Sequence, residues 1–542
     1  MRWPRCWSAS WASAARWSST RHAAAPRPRH PGQQDLPPAR RSAEPYGAPF
    51  HLHTLASMGS HLLLRTAPAL ACALLLGACA VHTPPAVMPA PPAGWQAVLP
   101  HQGSRADLAL WWQQQGDPLL PQLIDEAQAT NPTLAQALAR LQQARAASRN
   151  ASAGLWPSVN ASAQANRARE PFSFGSPAIS NTGSVALDAQ WELDLFGNVR
   201  HQAAAERARA EAASYDWHEA RISLAADVAQ TYVSLRSCEA LAEVYRQESE
   251  SQGKTSDLTR RTVQAGLESP ANGDLADAGA AEASTRLIAQ RAECDAQVKA
   301  LVLLTGRDEP GLRAALAPRQ GLLPQAQGLA VESVPAQLLR QRPDLAAAER
   351  RLVAAAAEVG VADAARYPRL TLSGNVARAA YHGGGAELEG LRWGFGPSLV
   401  LPIFNAGRIQ ANVDAAQARY EEARAGLDLQ LRQAVREVEE ALVRLDAARR
   451  READAQRSAE GFRKFFLSTQ QRWQVGAGSL IEMEDARRRA LAAQATLLAV
   501  QREQAAGWIT LYKAVGGGWT PQGVQAVADN ANNADNDKTK AN

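Results

Sequence analysis

Residues that carry chemistry are scarce in this chain. Its 542 residues include only ten histidines and five cysteines, with no HExxH, no CxxC and no GxxxxGK[ST] run. Zinc hydrolysis, dithiol redox chemistry and nucleotide-phosphate binding therefore lack their usual ligand sets. His382-Gly383-Gly384-Gly385 imitates the oxyanion turn of esterases, but no GxSxG elbow exists to supply a nucleophile, so it reads as a loop turn. No catalytic residue, metal site or cofactor is expected, and any energy for work must come from a partner.

Long apolar runs are also missing. The one apolar core, Ala67 to Leu76, is too short to span a bilayer, which takes about 20 residues. It follows Arg65 and precedes Leu76-Gly77-Ala78-Cys79, the layout of a secretory signal ending in a bacterial lipobox. Residues 58–78 are read as the lipoprotein signal peptide, with Cys79 as the lipidated first residue of the mature chain. Residues 1–57 read as a misassigned start without a fold. They hold eight arginines against Asp35 and Glu44, and Arg65 leaves with the signal, so the formal charge falls from +5 to −2. The apparent basicity thus gives no support to nucleic-acid binding, which needs a basic stripe on a folded domain.

What the chain does have is a duplication. Asn131-Pro132 recurs as Arg342-Pro343, Leu141 as Leu352, Trp156-Pro157 as Tyr367-Pro368, Phe196 as Phe404, Ala265-Gly266 as Val475-Gly476, and Gly306 as Gly516. The separations are 211, 211, 211, 208, 210 and 210 residues, far beyond a solenoid period of roughly 20 to 50. Two repeats follow, 116–306 and 335–519, flanked by a linker at 79–115, a connector at 307–334 and a polar tail at 520–542.

Each repeat contains a segment of strict alternation, 157–196 and 368–404. Val185, Leu187, Ala189, Trp191, Leu193 and Leu195 alternate with Ala186, Asp188, Gln190, Glu192 and Asp194. Runs of about 10 to 12 residues match the 9 to 11 that a tilted strand needs to cross a bilayer. Asp188, Glu192 and Asp194 are expected on a water-filled lumen, and Pro171 to Gly183 and Tyr381 to Gly390 read as long polar loops. Four strands cannot close a barrel, and an open edge in lipid costs several kcal/mol per unpaired group. Three chains would pool twelve strands.

After Gly197 and Gly407 the sequence stays helix-compatible for 69 residues, to Gly266 and Gly476. Leu431, Val435, Val438, Leu442 and Leu445 mark a coiled-coil seam. The return is read in two pieces: Pro270 to Leu304 stacked end to end with Pro335 to Arg366, and Leu480 to Val515 with the helix from Pro132. Cys238 and Cys294 lie 28 residues either side of Gly266, so an antiparallel hairpin predicts a disulfide between them; two unrelated buried thiols are the alternative.

The segments NPTLAQALARLQQARAASRNASAGLWPSV, LDLFGNVR, RQRPDLAAAERRLVAAAAEVGVADAARYPRLTLSG and LVLPIFNAGRIQANVDAAQARYEEA resemble the outer membrane factor family, the TolC, OprM and NodT type of efflux channel. The resemblance implies a mixed α and β membrane protein. Its homotrimer has a 12-stranded outer-membrane β-barrel continuous with a 12-helix periplasmic α-barrel closed at its tip. It also implies an outer-membrane location, a periplasmic adaptor and an inner-membrane RND-type pump as partners, and a periplasmic gate. Carried over by position, Ile481 would form an apolar constriction, Asp485 a carboxylate ring, and Arg472 and Trp473 part of the tether. Trp473 stands where tyrosine is usual. The function expected is passive efflux of small molecules. A type I secretion conduit for polypeptides and a non-conducting periplasmic coiled-coil scaffold are the alternatives.

Overall fold

Both repeats fold to one plan in the computed structural model, which describes residues 83–97, 111–170, 178–324, 340–383 and 386–519. The extension, the signal, Cys79 and the tail lie outside the described residues. The first repeat comprises α1 (Leu119–Thr130), α2 (Pro132–Ala153), β1 (Ser158–Glu170), β2 (Ala178–Leu193), α3 (Asn198–Gln264) and α4 (Pro270–Thr305). A short α5 (Glu309–Leu316) leads toward the second repeat of α6 (Pro343–Ala364), β3 (Arg369–Gly383), β4 (Ala386–Val400), α7 (Arg408–Gln474) and α8 (Leu480–Ala514).

Local chemistry sets these boundaries. Asn131 accepts from the Thr133 N–H at 2.9 Å, and Pro132 occupies the first helical turn, where its missing N–H costs nothing. The two long helices, 67 residues each, start after Gly197 and Gly407, both at φ 83°, a left-handed conformation that favours glycine. At 1.5 Å per residue each would reach about 100 Å. The seam residues Leu431, Val438, Leu442 and Leu445 are buried. The Cys238–Cys294 disulfide ties α3 to α4 with 5.5 Å between Cα atoms.

The four strands form one antiparallel sheet in the order β1-β2-β3-β4. They are longer than expected, because polar residues assigned to loops extend the ladder. Most of Tyr381 to Gly390 is strand, with His382 opposite Glu387 and Tyr381 opposite Leu388. Likewise Asn181, Thr182 and Gly183 pair with Arg167, Asn166 and Ala165. Backbone pairing above an apolar band needs no apolar side chains, so composition did not reveal it.

Three further expectations are corrected. The return helices stack within their own repeats, α4 under α2 and α8 under α6. Asn131 Nδ2 donates to the Leu304 carbonyl at 2.9 Å, and Arg342 Nη1 donates to the Ala514 carbonyl at 2.8 Å. Each residue preceding proline thus satisfies a last-turn carbonyl that would otherwise lack a partner. In addition, α6 begins at Pro343, with residues 340 and 341 in a turn and Arg342 extended. Finally, the end of the expected linker belongs to the core: Trp111 is buried and stacks on Tyr512 at 5.0 Å.

The largest core lies where the stacked helices meet. Arg342 is buried there, forking onto Asp344 at 3.0 and 2.8 Å and reaching Glu437 on α7 at 2.8 Å. Burial alone would raise the Asp344 pKa, but the hydrogen bonds and charge of Arg342 hold it below the usual carboxylate value. Arg342→Ala should destabilise the fold by about 3 kcal/mol, because it strands the largely buried Asp344 carboxylate, while the half-exposed Glu437 can turn to water. Arg342→Lys should rescue little, because a point charge cannot fork. Denaturant midpoints of the three proteins check this.

Nearby on α3, burial pushes His218 down to about 4 and Glu219 up to about 7, the latter aided by Asp344. Glu219 binds its proton more tightly folded than unfolded, so its contribution is complete below about 4.5 and is lost as pH rises toward 7. His218 acts oppositely, since acidification from about 6.5 toward 4 charges the unfolded chain first. Between pH 7 and 5, thermal midpoints should fall more steeply on acidification in Glu219→Gln than in wild type, and rise relative to wild type in His218→Asn.

Candidate functional site

Two surfaces carry the functional reading: the faces of the sheet and the tips of the helical hairpins. On one sheet face Val159, Leu187, Val376 and Trp393 are exposed, as are Val185, Leu391 and Phe395. The registers put Ala161, Leu187, Val376 and Trp393 in one row, so the apolar surface is continuous across all four strands. Along β2 it extends from Val185 to Leu193, eight steps or roughly 26 Å at 3.3 Å each, matching the ~25 Å band of an outer-membrane barrel. Charge resumes at its rim: Arg378, opposite Val185, pairs with Glu389 at 2.8 Å on the same face, and beyond it His382 approaches Glu387 at 3.7 Å.

The other face is polar. Asn160, Asp188 and Asn375 share a row; Ser162 Oγ donates to Asp188 at 3.3 Å, and Asn375 Nδ2 donates to its second oxygen. Glu192 lies 3.7 Å from Arg369. Asp194 is different and corrects the expectation of a lumen-facing strand carboxylate. It falls beyond β2, and its oxygens accept from the backbone N–H groups of Val199 and Arg200 at 3.0 and 2.9 Å. A carboxylate at the start of α3 satisfies unpaired amides and complements the helix dipole. Its role is to seat the long helix on the sheet.

At the tips, both hairpins turn through a left-handed glycine, Gly266 at φ 72° and Gly476 at φ 74°. Leu267 and Ala477 then donate back to the Thr262 and Arg472 carbonyls at 2.9 and 2.8 Å, closing matched helix C-caps. Ser479 and Glu482 form a capping box that starts α8. Of the gate residues expected, Ile481 is exposed, and Arg472 donates to the Ala477 carbonyl of its own turn at 3.3 Å. Trp473 packs with Leu480, Met483 and Ala276, so it bridges to the first hairpin through apolar contact. Asp485 is paired along its own helix with Arg488 at 3.3 Å and Arg489 at 2.8 Å.

The polar tie between hairpins runs through residues that sequence reasoning missed. Arg487 is buried, donates from Nη2 to Thr255 Oγ1 on α3 at 3.0 Å, and lies 5.4 Å from the Phe466 ring. Gln252 donates to Glu484 at 2.7 Å, while Glu248 pairs with Arg286 of its own hairpin at 3.1 Å. Arg487 Nη1 sits 3.2 Å from Glu484 Oε1 without hydrogen-bond alignment, and its Nε has no partner. Burial accordingly lowers the Arg487 pKa, partly opposed by Glu484 and Glu248. The available signal was an arginine interrupting the seam of Leu480, Met483 and Ala486. Among the described residues no cluster of His, Cys, Asp and Glu could hold a metal ion, and no helix is long and apolar enough to cross a membrane.

An open-edged sheet with one lipid-compatible face, set on two very long hairpins, defines the class of outer-membrane protein with a helical extension. The match to the outer membrane efflux protein family covers residues 123–307 and 334–517, one block per repeat. The chain is 31% identical to the solvent efflux pump outer membrane protein SrpC of Pseudomonas putida over 415 residues, 74% of this chain and 86% of that protein. It is 31% identical to outer membrane protein OprJ of Pseudomonas aeruginosa over 465 residues, 83% of this chain and 95% of the relative. The structure of the outer-membrane channel OprN superposes with a TM-score of 0.70 at 29% identity, covering 81% of this chain and all of that one. The chain belongs to the outer membrane efflux protein family, and its place is the outer membrane.

Arg487→Ala should loosen the hairpin tie by removing the Thr255 contact and the cation beside Glu484, whereas exposed Arg488→Ala should not. Amide exchange across residues 476–490 should accelerate in the first variant and match wild type in the second.

Proposed function

We propose that this protein is the passive outer-membrane exit channel of a tripartite efflux pump, assembled as a homotrimer. The observation that carries this is the sheet: four strands, one apolar and one polar face, and two edges unpaired among the described residues. In lipid those edges must be paired, and twelve strands from three chains close a barrel whose polar face lines the lumen. The long hairpins then continue the wall as a twelve-helix periplasmic tube. An inner-membrane RND-type pump supplies the energy, and a periplasmic adaptor joins it to the helix tips. The name of the SrpC relative, a solvent efflux protein, supports small organic molecules as cargo.

The lipid anchor fits the path of residues 83–97. Thr83 lies against Gly360, where an added Cβ would come within 2.8 Å of the Thr83 methyl and 2.9 Å of His201. Tyr420 donates to the Pro85 carbonyl at 2.8 Å, and Gln96 and Ala97 donate to Glu439 at 2.6 and 2.7 Å. The strap therefore runs from the sheet end of the helices toward the core, with its start near the membrane. Cys79 is four residues upstream of Thr83, a reach of about 14 Å when extended. At the tip, Ile481 narrows the passage, Trp473 and Arg487 hold the hairpins together, and the arginine-paired Asp485 lessens repulsion between copies.

Detergent-extracted protein should have the mass of three chains and form ion-conducting pores in planar bilayers, with Asp485→Ala altering the conductance. A single-chain, non-conducting particle would refute the channel.

A further inference from the structure

The two hairpins of the sheet define how the repeats correspond. Ser158 opposite Gln190 in the first becomes Arg369 opposite Val400 in the second, shifts of 211 and 210 residues. The flanking helices show the same shifts: α2 and α6 end at Ala153 and Ala364, and the junction glycines are Gly197 and Gly407. Between the hairpins, β2 of the first repeat pairs with β3 of the second, and this join contains Asp188 opposite Asn375 and Ala186 opposite Ala377.

If three copies close the barrel, as proposed above, the equivalent join is β4 of one copy against β1 of the next. It is again the second strand of one repeat beside the first strand of another. Applying the two shifts to the observed β2–β3 pairs transfers their register to the seam. We propose that the free edges pair with a second copy of this chain in one register: Val400 opposite Ser162, Ser398 opposite Gln164, Gly396 opposite Asn166, and Phe395 opposite Arg167. The transferred pairs come from Gln190–Ser373, Asp188–Asn375, Ala186–Ala377 and Val185–Arg378 in turn.

Two observations agree with this register. Gln164, Asn166, Gly396 and Ser398 all lie on the polar face shared with Asp188, while Arg167 and Phe395 lie on the apolar face shared with Val185. A slip of one residue would set a polar face against an apolar one. The side chains also fit. Arg167 is brought beside the exposed Phe395 ring, an arrangement that favours a guanidinium on an aromatic face. Gly396 has no atom within 4 Å of a built Cβ, leaving room for Asn166.

Paired cysteines test the register, and four substitutions suffice. Directly opposed Cα atoms in an antiparallel ladder are about 4.5 to 5.5 Å apart, within disulfide reach, whereas diagonal neighbours are about 7 to 8 Å apart. Within one chain β2 and β3 separate β1 from β4, so a bond between them must join two chains. The native Cys238 and Cys294 are already bonded to each other. Gln164→Cys with Ser398→Cys, and Asn166→Cys with Gly396→Cys, should give covalent dimers and trimers on non-reducing gels under mild oxidation. Gln164→Cys with Gly396→Cys, and Asn166→Cys with Ser398→Cys, should stay largely uncrosslinked. Preferential bonding in either diagonal combination would replace the register with one slipped by two residues. No bonding in any combination, in particles whose mass is three chains, would overturn the seam alone. A single-chain mass in the unsubstituted protein would overturn the trimer itself.

Discussion

Backbone hydrogen bonding in a medium without water is the constraint from which the rest follows. A strand at the edge of a sheet exposes N–H and C=O groups, and hydrocarbon offers them no partner. This chain makes four strands and leaves two edges open among its described residues. The apolar face demands lipid, while the open edges forbid lipid contact for a lone copy. The proposed association with other copies would resolve the conflict, with the polar face enclosing water. On that proposal a pore is a consequence of an incomplete sheet.

The second organising device is the splice at the core, built from one position of the repeat used twice. Asn131 and Arg342 precede the proline of an upper helix and hold the last-turn carbonyl of a lower one, at Leu304 and Ala514. In each repeat two shorter helices thereby run as one beside a 67-residue partner. The repeats differ in how much charge they place there. Asn131 makes a neutral contact, whereas Arg342 adds Asp344 and Glu437 and needs both to offset its burial. The hairpins are also unequal, since only the first is cross-linked by a disulfide among the described residues.

The sequence made the architecture legible because periodicity and burial coincide in it. The alternation around Leu187 and Trp191, the seam from Leu431 to Leu445 and the 211-residue echo of Trp156-Pro157 all reflect faces that must meet lipid or another helix. Strand ends were misjudged where that link fails: His382 and Glu387 pair through their backbones above the apolar band, whatever their polarity. Helix stacking was misassigned because chain order suggested α4 under α6, and the Asn131–Leu304 contact that decides otherwise spans 173 residues.

Amino-acid order alone determined the two-fold repeat, the lengths of the hairpins, the two faces of the sheet and the poverty of catalytic groups, since each is a local pattern or a composition. Tertiary structure decided which carboxylates are free to act. Asp194 and Asp188 look alike on an alternating strand, yet one caps a helix and the other faces its neighbours across the polar sheet surface. It also decided that the hairpin tie runs through Arg487, which Thr255 reaches only once the two repeats pack together. Such roles depend on partners far apart in the chain, and sequence order alone does not state their distances.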